Sequence, residues 1–175
     1  MRFSVDTNCV NARQRIPSMN KLEEWGAQEI IELLTSAVAQ NEMTAGVSSI
    51  RKKKAYQFIF TESLLTTDEE RELFSKIQTI IFPSGNLNEN QLNDVHIVFN
   101  SVKHGVKLIT NDGGSKSQPG GIIGNRQRLN NIGAVVLNPG EAVLEVRKAI
   151  VKRDDFAKQW AEHYAESIPD WVGSD

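Results

Sequence analysis

Cysteine is almost absent from this chain of 175 residues, which contains only Cys9. A lone cysteine cannot form an internal disulfide, and the three histidines show neither an HExxH motif nor paired Cys/His spacing, so zinc is a poor fit. The chain also lacks a G-x-S-x-G elbow and a GxxxxGK[ST] loop, which argues against serine-hydrolase and P-loop chemistry. A protein of the reducing cytoplasm is therefore expected.

Long apolar runs, aromatic residues and an excess of one charge are also missing. No apolar run approaches the roughly 18 residues that a membrane span requires, so no membrane contact is expected. Aromatic residues make up 7% of the chain, and the formal net charge is −2. Any nucleic-acid contact must then come from local basic clusters. The candidates for phosphate contacts are Arg13, Arg15, Lys116, Arg126 and Arg128, besides the run Arg51-Lys52-Lys53-Lys54, which could equally be a solvated helix face.

Short β-branched runs alternate with helical segments along the chain, as in a parallel sheet covered by crossover helices. This pattern predicts one α/β domain over residues 1–150 and a helical extension over 151–175 that packs on it. The predicted strands are Phe3–Val5, Glu29–Leu34, Ile77–Phe82, Val106–Thr110 and Ala134–Leu137. The predicted helices are Met19–Ala27, Ser36–Phe60, Asp68–Ile77, Glu89–His104, Ile122–Asn131 and Gly140–Ala165.

The helix at Glu89–His104 has the clearest signals at both ends. Asn88 can cap its start with Gln91 reaching back, and Gly105 supplies the stop. In the C-terminal extension, Phe156, Trp160 and Tyr164 recur every four residues. That spacing favours packing of the helix on its own domain over a stripe that binds a partner.

Acidic residues stand where predicted strands end. Asp6 follows the first strand, Asp112 follows the fourth, and Asp94 lies in the first turns of the helix before it. Each residue alone is more simply explained as a cap, a turn residue or a solvated side chain. Sites in parallel α/β sheets form beyond the carboxyl ends of the strands. The occurrence of these three aspartates at or near that edge therefore predicts that they line one pocket.

Several carboxylates in one pocket are typical of a site for Mg²⁺ or Mn²⁺, which prefer hard oxygen ligands and often bind substrate phosphate as well. Such a site can activate a water for phosphodiester hydrolysis without a serine or cysteine nucleophile. The residues therefore favour a metal-dependent nuclease. Titratable histidines do not change this interpretation, since His96 is more simply a surface or structural residue.

Four segments carry a resemblance to the PIN domain family: VDTN (Val5–Asn8), AVAQNEM (Ala37–Met43), NDVHIVFNSVKHGVKLITND (Asn93–Asp112) and GAVVLNPGE (Gly133–Glu141). The resemblance implies a three-layer α/β/α sandwich with a five-stranded parallel sheet of order 3-2-1-4-5. It further implies a Mg²⁺- or Mn²⁺-dependent endoribonuclease whose metal ligands and catalytic acids are Asp6, Glu42, Asp94 and Asp112, supported by Asn8 and Thr110.

VapC-type toxins are one branch of the family that this chain resembles, which implies an RNA substrate, an antitoxin protein and a homodimer as partners. For RNA contacts we single out Arg13, Arg15, Lys116 and Arg126, because the first two follow Asp6 at the same edge of the sheet. Two other functions stay open: a catalytically silent PIN-like module that binds RNA or protein, and a phosphatase or other hydrolase with a similar acidic site.

Overall fold

Five parallel strands form one sheet in a computed structural model that describes residues 1–10, 13–45, 48–85, 87–114 and 118–174. The strands are β1 (Arg2–Val5), β2 (Glu32–Ser36), β3 (Ile59–Thr61), β4 (Lys107–Ile109) and β5 (Val136–Leu137). Their order in the sheet is β3-β2-β1-β4-β5, as the sequence resemblance implies. The central strands β1 and β4 are almost completely buried, with Phe3, Val5, Leu108 and Ile109 each fully covered.

Eight α-helices, counted over those described residues, cover the sheet. The crossovers from β1 to β2 and from β4 to β5 run in opposite directions, so right-handed connections put their helices on opposite faces. The helices are α1 (Pro17–Ala27), α2 (Ala37–Thr44), α3 (Ser49–Ala55), α4 (Asp68–Ile81), α5 (Glu89–Lys103), α6 (Gly121–Gly124), α7 (Arg126–Asn130) and α8 (Pro139–Tyr164). On one side α1 packs against α8, and on the other α4 packs against α5 and contacts α7.

The predicted signals of α5 are confirmed atom by atom. The Asn88 side chain accepts a hydrogen bond from the Gln91 amide at 3.0 Å, and the Gln91 side chain accepts one from the Asn88 amide at 3.0 Å. Gly105 follows the helix with a φ of 62°, a conformation that suits glycine. This capping box fixes the first turn of α5, and Asp94 lies in the turn that follows it.

The predicted strand at Ile77–Phe82 is wrong, because Ile77–Ile81 forms the end of α4. Ile77 and Ile81 are buried and continue the helical stripe begun by Leu73 and Phe74, so the apolar run follows the period of a helix. The third strand is instead β3, which pairs with β2 in a register that joins Leu34 to Ile59.

The predicted single helix Ser36–Phe60 is also wrong, since the segment contains α2, α3 and β3. Ser48 restarts the helix by accepting a hydrogen bond from the Arg51 amide at 3.3 Å, and Ala55 ends it before the strand. The predicted strand at Glu29–Leu34 exists but lies at Glu32–Ser36, and the predicted helix Ile122–Asn131 is split at Asn125 into α6 and α7.

Helix α8 runs through residue 150 without a break, so the extension at 151–175 begins inside a helix that also packs on α1. Phe156, Trp160 and Tyr164 are 64%, 50% and 53% exposed, so the expectation that they pack on the domain is wrong. Their rings contact one another instead, with centroid separations of 6.0 and 4.5 Å. No helix within the described ranges has both the length and the apolar character of a membrane span.

Candidate metal centre

Asp6 lies at the carboxyl edge of the sheet, directly after β1. Its amide donates to the Ile109 carbonyl at 3.0 Å, which ties it to the end of β4. The side chain is only 3% exposed, and its Oδ2 accepts hydrogen bonds from Asn8 Nδ2 at 2.7 Å and Thr110 Oγ1 at 2.5 Å. The carboxyl group is therefore held in one orientation by two neighbouring side chains.

Thr110 and Asn8, the two predicted supporting residues, link the ends of β1 and β4. The Thr110 hydroxyl donates to Asp6 and accepts from Asn8 Nδ2 at 3.1 Å and from the Asp112 amide at 2.9 Å. One donor and two acceptor positions are thereby all used. Asn8 Oδ1 in turn accepts from the Asn111 amide at 2.9 Å, so the two strand ends share one closed polar network.

Asp112 is held by the loop that follows it. Its Oδ1 accepts from the Gly114 amide at 3.0 Å, and its Oδ2 accepts from the Ile122 amide at 2.8 Å and Gln118 Nε2 at 3.1 Å. Gly121 has a φ of +55°, and a Cβ there would stand 2.6 Å from Asp112 Oδ2. Glycine is required at this position for the backbone to approach the carboxylate.

Glu42 bridges the turn after Asp6 and the helix that carries Asp94. Its Oε2 accepts from Thr7 Oγ1 at 2.6 Å, and its Oε1 accepts from Asn93 Nδ2 at 2.7 Å. Asn93 is the residue before Asp94 on α5. The structure thus brings the predicted acid from α2 to the same edge of the sheet as the three aspartates.

The four acids influence one another electrostatically. Burial raises the pKa of Asp6 to about 6, against the hydrogen bonds from Thr110 and Thr7, and the charges of Asp112 and Glu42 raise it further. Burial, followed by the charges of Asp6, Asp112 and Glu42, raises the pKa of Asp94 to about 7. All four predicted carboxylates therefore lie in one cluster of mutually repelling groups.

The cluster fits Mg²⁺ or Mn²⁺ in ligand chemistry, although it is not a ready-made cage. Across the described residues, no three His, Cys, Asp or Glu side chains are arranged to hold a metal ion as they stand. The donors are nonetheless hard oxygens, and a bound cation would offset both the burial of negative charge and the repulsion that together raise the pKa of Asp6 and Asp94. Asp112 Oδ2 already accepts two hydrogen bonds, whereas Oδ1 accepts one and keeps a lone pair that a metal could use.

The predicted RNA-contacting residues lie in different settings. Arg13 and Arg15 are exposed, whereas Arg126 forms an ion pair with Glu141 at 2.7 Å. Lys116 lies outside the described residues. Arg128 donates to the Ile80 carbonyl and to Asn125 Oδ1, both at 3.2 Å, which occupies it within the fold.

Two reactive side-chain types near the cluster are unsuited to direct catalysis. Cys9 is buried, and burial together with the charge of Asp6 raises the pKa of its thiol far above its ordinary value. His96 packs on the Phe74 ring with centroids 4.7 Å apart, and burial lowers its pKa. The raised pKa makes Cys9 a poor nucleophile. The packing of His96 on Phe74 agrees with the interpretation of this histidine as a structural residue.

Three polar neighbours of the acids were not identified from the sequence: Thr7, Asn93 and Gln118. Gln118 is 7% exposed and contacts Asp112, and its hydrogen bond also lowers the pKa of Asp94. Thr7 and Asn93 each stand next to a predicted acid in the sequence, and this adjacency could have identified them as neighbours of the site. The position of Gln118, six residues after Asp112 in a turn-rich loop, carried no such signal.

Comparison with known proteins bears on the fold. No protein-family model and no curated protein matches the chain. A chain in the structure of VapBC2 from Rickettsia felis, bound to a DNA fragment from their promoter, is 15% identical with a TM-score of 0.50, over 79% of this chain and 98% of that one.

Two further structures are similar at lower scores. A chain of FitAB bound to an IR36 DNA fragment is 17% identical with a TM-score of 0.48, over 78% of this chain and 94% of that one. A chain of FitAcB from Neisseria gonorrhoeae is 13% identical with a TM-score of 0.43, over 78% and 97%. The sheet order and the likeness to the Rickettsia felis chain together show that this protein has the PIN-type α/β fold.

Proposed function

We propose that this protein is a Mg²⁺- or Mn²⁺-dependent endoribonuclease that hydrolyses RNA phosphodiester bonds. The observation that carries the proposal is the convergence of four acids from separate parts of the chain, where burial, followed by the charges of the other three acids, raises the pKa of Asp94 to about 7. Clustered carboxylates whose pKa values are shifted in this way are characteristic of functional sites. A divalent cation is the ligand that would remove the electrostatic cost of this cluster.

The proposed roles follow from the surroundings of each acid. Asp6, Asp94 and Asp112 would hold the metal, and Glu42 would complete the site or orient water from its position beside Thr7. When bound, the metal would lower the pKa of a water and stabilise the leaving oxygen. Asn8 and Thr110 keep the Asp6 carboxylate oriented, since both donate to its Oδ2. Arg13, Arg15, Lys116 and Arg126 would contact RNA phosphates.

The test is cleavage of a fluorescent single-stranded RNA with Mn²⁺ or Mg²⁺ and with EDTA. Asp6→Asn and Asp94→Asn should each lower cleavage by more than about 100-fold, beyond the range reported for residues that only support metal ligands. Asp155→Asn, on the exposed part of α8, is the control and should cleave like the wild type. Cleavage that persists in EDTA, or in both aspartate variants, would overturn the proposal.

A catalytically silent PIN-like module is the second candidate function. It is favoured by the lack of a ready-made metal cage among the described residues and by the three hydrogen bonds that the Asp112 carboxylate already accepts. Mn²⁺ raises the melting temperature of a protein that binds it in the folded state. No shift at millimolar Mn²⁺, together with RNA or protein binding, would support the silent module instead.

We also infer a toxin role in the cytoplasm, with an antitoxin protein as partner and a homodimer as the assembled form. The support is the likeness of fold to a chain of the VapBC2 complex. Expression in a bacterial host should arrest growth, and Asp6→Asn should remove the arrest. Co-expression of a small protein from the neighbouring reading frame should also restore growth, and failure of both rescues would contradict a toxin role.

A further inference from the structure

The basic run Arg51–Lys54 on α3 points in more than one direction. Lys54 forms an ion pair with Glu23 on α1, and both side chains are largely covered. Lys52 and Lys53 are exposed. Arg51 instead reaches the turn that follows β1, where its Nη2 lies 3.5 Å from the Thr7 carbonyl oxygen. Only the first residue of the run therefore contacts the segment next to Asp6.

Arg51 is a partly buried cation with few partners. Its Nε is buried without a hydrogen-bond partner, and its contact with Thr7 is long. Over the described residues, Arg51 makes no ion pair within 4.0 Å, whereas its neighbour Lys54 has one. A partly buried guanidinium that lacks a carboxylate is costly unless another anion binds it.

The position of Arg51 identifies the kind of anion. Thr7 stands next to Asp6, and its hydroxyl donates to Glu42 at 2.6 Å, so the guanidinium contacts a residue that adjoins two of the four acids. The cluster itself repels phosphate, and an RNA backbone approaching it needs a nearby cation. A guanidinium matches phosphate oxygens with two parallel N–H donors, which an ammonium group cannot do.

We propose that Arg51 is the substrate-binding residue that holds a phosphate of the RNA backbone against the acidic cluster. The inference rests on the proposed ribonuclease function and names one residue of its substrate site. The remaining lysines of the run contribute at most diffuse attraction, because Lys52 and Lys53 are exposed on α3 and Lys54 is already paired. One side chain, rather than the basic run as a whole, then determines phosphate binding.

The experiment compares Arg51→Gln with the double variant Lys52→Gln/Lys53→Gln, which removes more charge from the same helix. Cleavage of a short fluorescent RNA is measured with Mn²⁺, and the affinity for the same RNA is measured in an Asp94→Asn background. Arg51→Gln should weaken binding and lower kcat/KM by about 10-fold or more, as expected for charge-assisted hydrogen bonds. The double lysine variant should change either value less than about 3-fold, the effect of screened surface charge.

Salt dependence and a conservative variant separate phosphate contact from a structural role. Loss of one phosphate contact should make the slope of log K against log salt shallower by about 0.7 for a single strand. Arg51→Lys keeps the charge but not the paired donors, so it should recover part of the affinity. If Arg51→Gln fails to fold, the affinity of Arg51→Lys is compared with that of the wild type, and an unchanged affinity overturns the inference.

The outcomes also distinguish this inference from the proposed function. If the wild type and the Arg51→Gln variant cleave RNA equally well, the proposed role of Arg51 is overturned, and the ribonuclease function stands. A wild-type protein that binds RNA through Arg51 but does not cleave it supports the role of Arg51 and contradicts the ribonuclease. A wild-type protein that neither binds nor cleaves RNA overturns both.

Discussion

A single hydroxyl, on Thr110, joins three parts of the acidic cluster. It donates to Asp6 and accepts from Asn8 and from the amide of Asp112, and the residue is fully buried. Thr110→Val keeps the shape of the side chain but removes these three hydrogen bonds, and it leaves the Asp112 amide without its acceptor. We expect it to lower the free energy of unfolding by about 1–3 kcal/mol, the cost of unsatisfied buried polar groups.

Urea unfolding in EDTA measures this cost, and Thr35→Val is the matched control. Thr35 is as fully buried on β2, but its hydroxyl only approaches the Met43 sulfur at 3.9 Å. The control should therefore lose much less stability. Equal losses in the two variants would show that the Thr110 network contributes nothing beyond burial.

The aspartates make metal-free stability depend on pH. The pKa of Asp94 rises from 3.8 to about 7 on folding, so between these values the folded state binds more protons than the unfolded one. Stability should then fall as the pH rises from 3.8 towards about 7, and change no further from this group above that. Unfolding of the wild type and of Asp94→Asn in EDTA tests this, since the variant should show a shallower fall. Parallel pH profiles would contradict the raised pKa.

Among single residues, the members of the site that could be predicted from the sequence were mainly those that directly follow a predicted strand. Asp6 and Asp112 could be predicted to meet because parallel strands end at one edge of the sheet. The orientations of Thr7, Asn93 and Gln118 could not, since hydrogen bonds between side chains depend on rotamers and loop paths that local sequence does not fix. Glu42 was identified through the family resemblance alone, and the structure places it beside Thr7.

Two glycines position Asp112: Gly114 in the loop after β4, and Gly121 at the start of α6. Gly114 has a φ of +92° and Gly121 a φ of +55°, and a Cβ at Gly121 would stand 2.4 Å from the Gly114 amide nitrogen. Gly121→Ala should destabilise the fold by about 1–3 kcal/mol from backbone strain alone, and should also displace the Asp112 carboxylate.

Gly124→Ala is the matched control for this loop, because a Cβ there meets nothing within 4 Å and the backbone is unstrained. Thermal melting and Mn²⁺-dependent cleavage should both be impaired in Gly121→Ala and close to wild type in Gly124→Ala. A Gly121→Ala variant with normal stability and cleavage would show that the close approach of the loop to Asp112 is not needed.

Whole elements were predicted well where both ends carried signals and poorly where they did not. Helix α5 has a capping box and a terminal glycine, and its predicted and observed starts agree at Glu89. Strand β3 has only three residues and is separated from α3 by three residues, so its apolar residues merged with the helical pattern before it. The run Ile77–Phe82 resembled a strand because β-branched residues there serve the buried stripe of a helix.

For the whole molecule, the order of the sheet was predicted correctly even though one strand was assigned to the wrong segment. The order came from the resemblance, and the alternation of strands and helices is enough to define a parallel sheet. The exposed aromatic residues of α8 show the limit of such reasoning. A spacing of four residues predicts that side chains share one face of a helix, but it does not say whether another element covers that face.

Diffraction from a crystal of this protein soaked in Mn²⁺ tests the central claim most directly. The claim is that Asp6, Asp94 and Asp112 form one site for a divalent cation, with Glu42 beside it. Anomalous scattering at the manganese edge should show a peak bounded by carboxylate oxygens of the three aspartates at about 2.0–2.2 Å, and no such peak in Asp6→Asn crystals. A soaked crystal without a manganese peak among these aspartates would contradict the account.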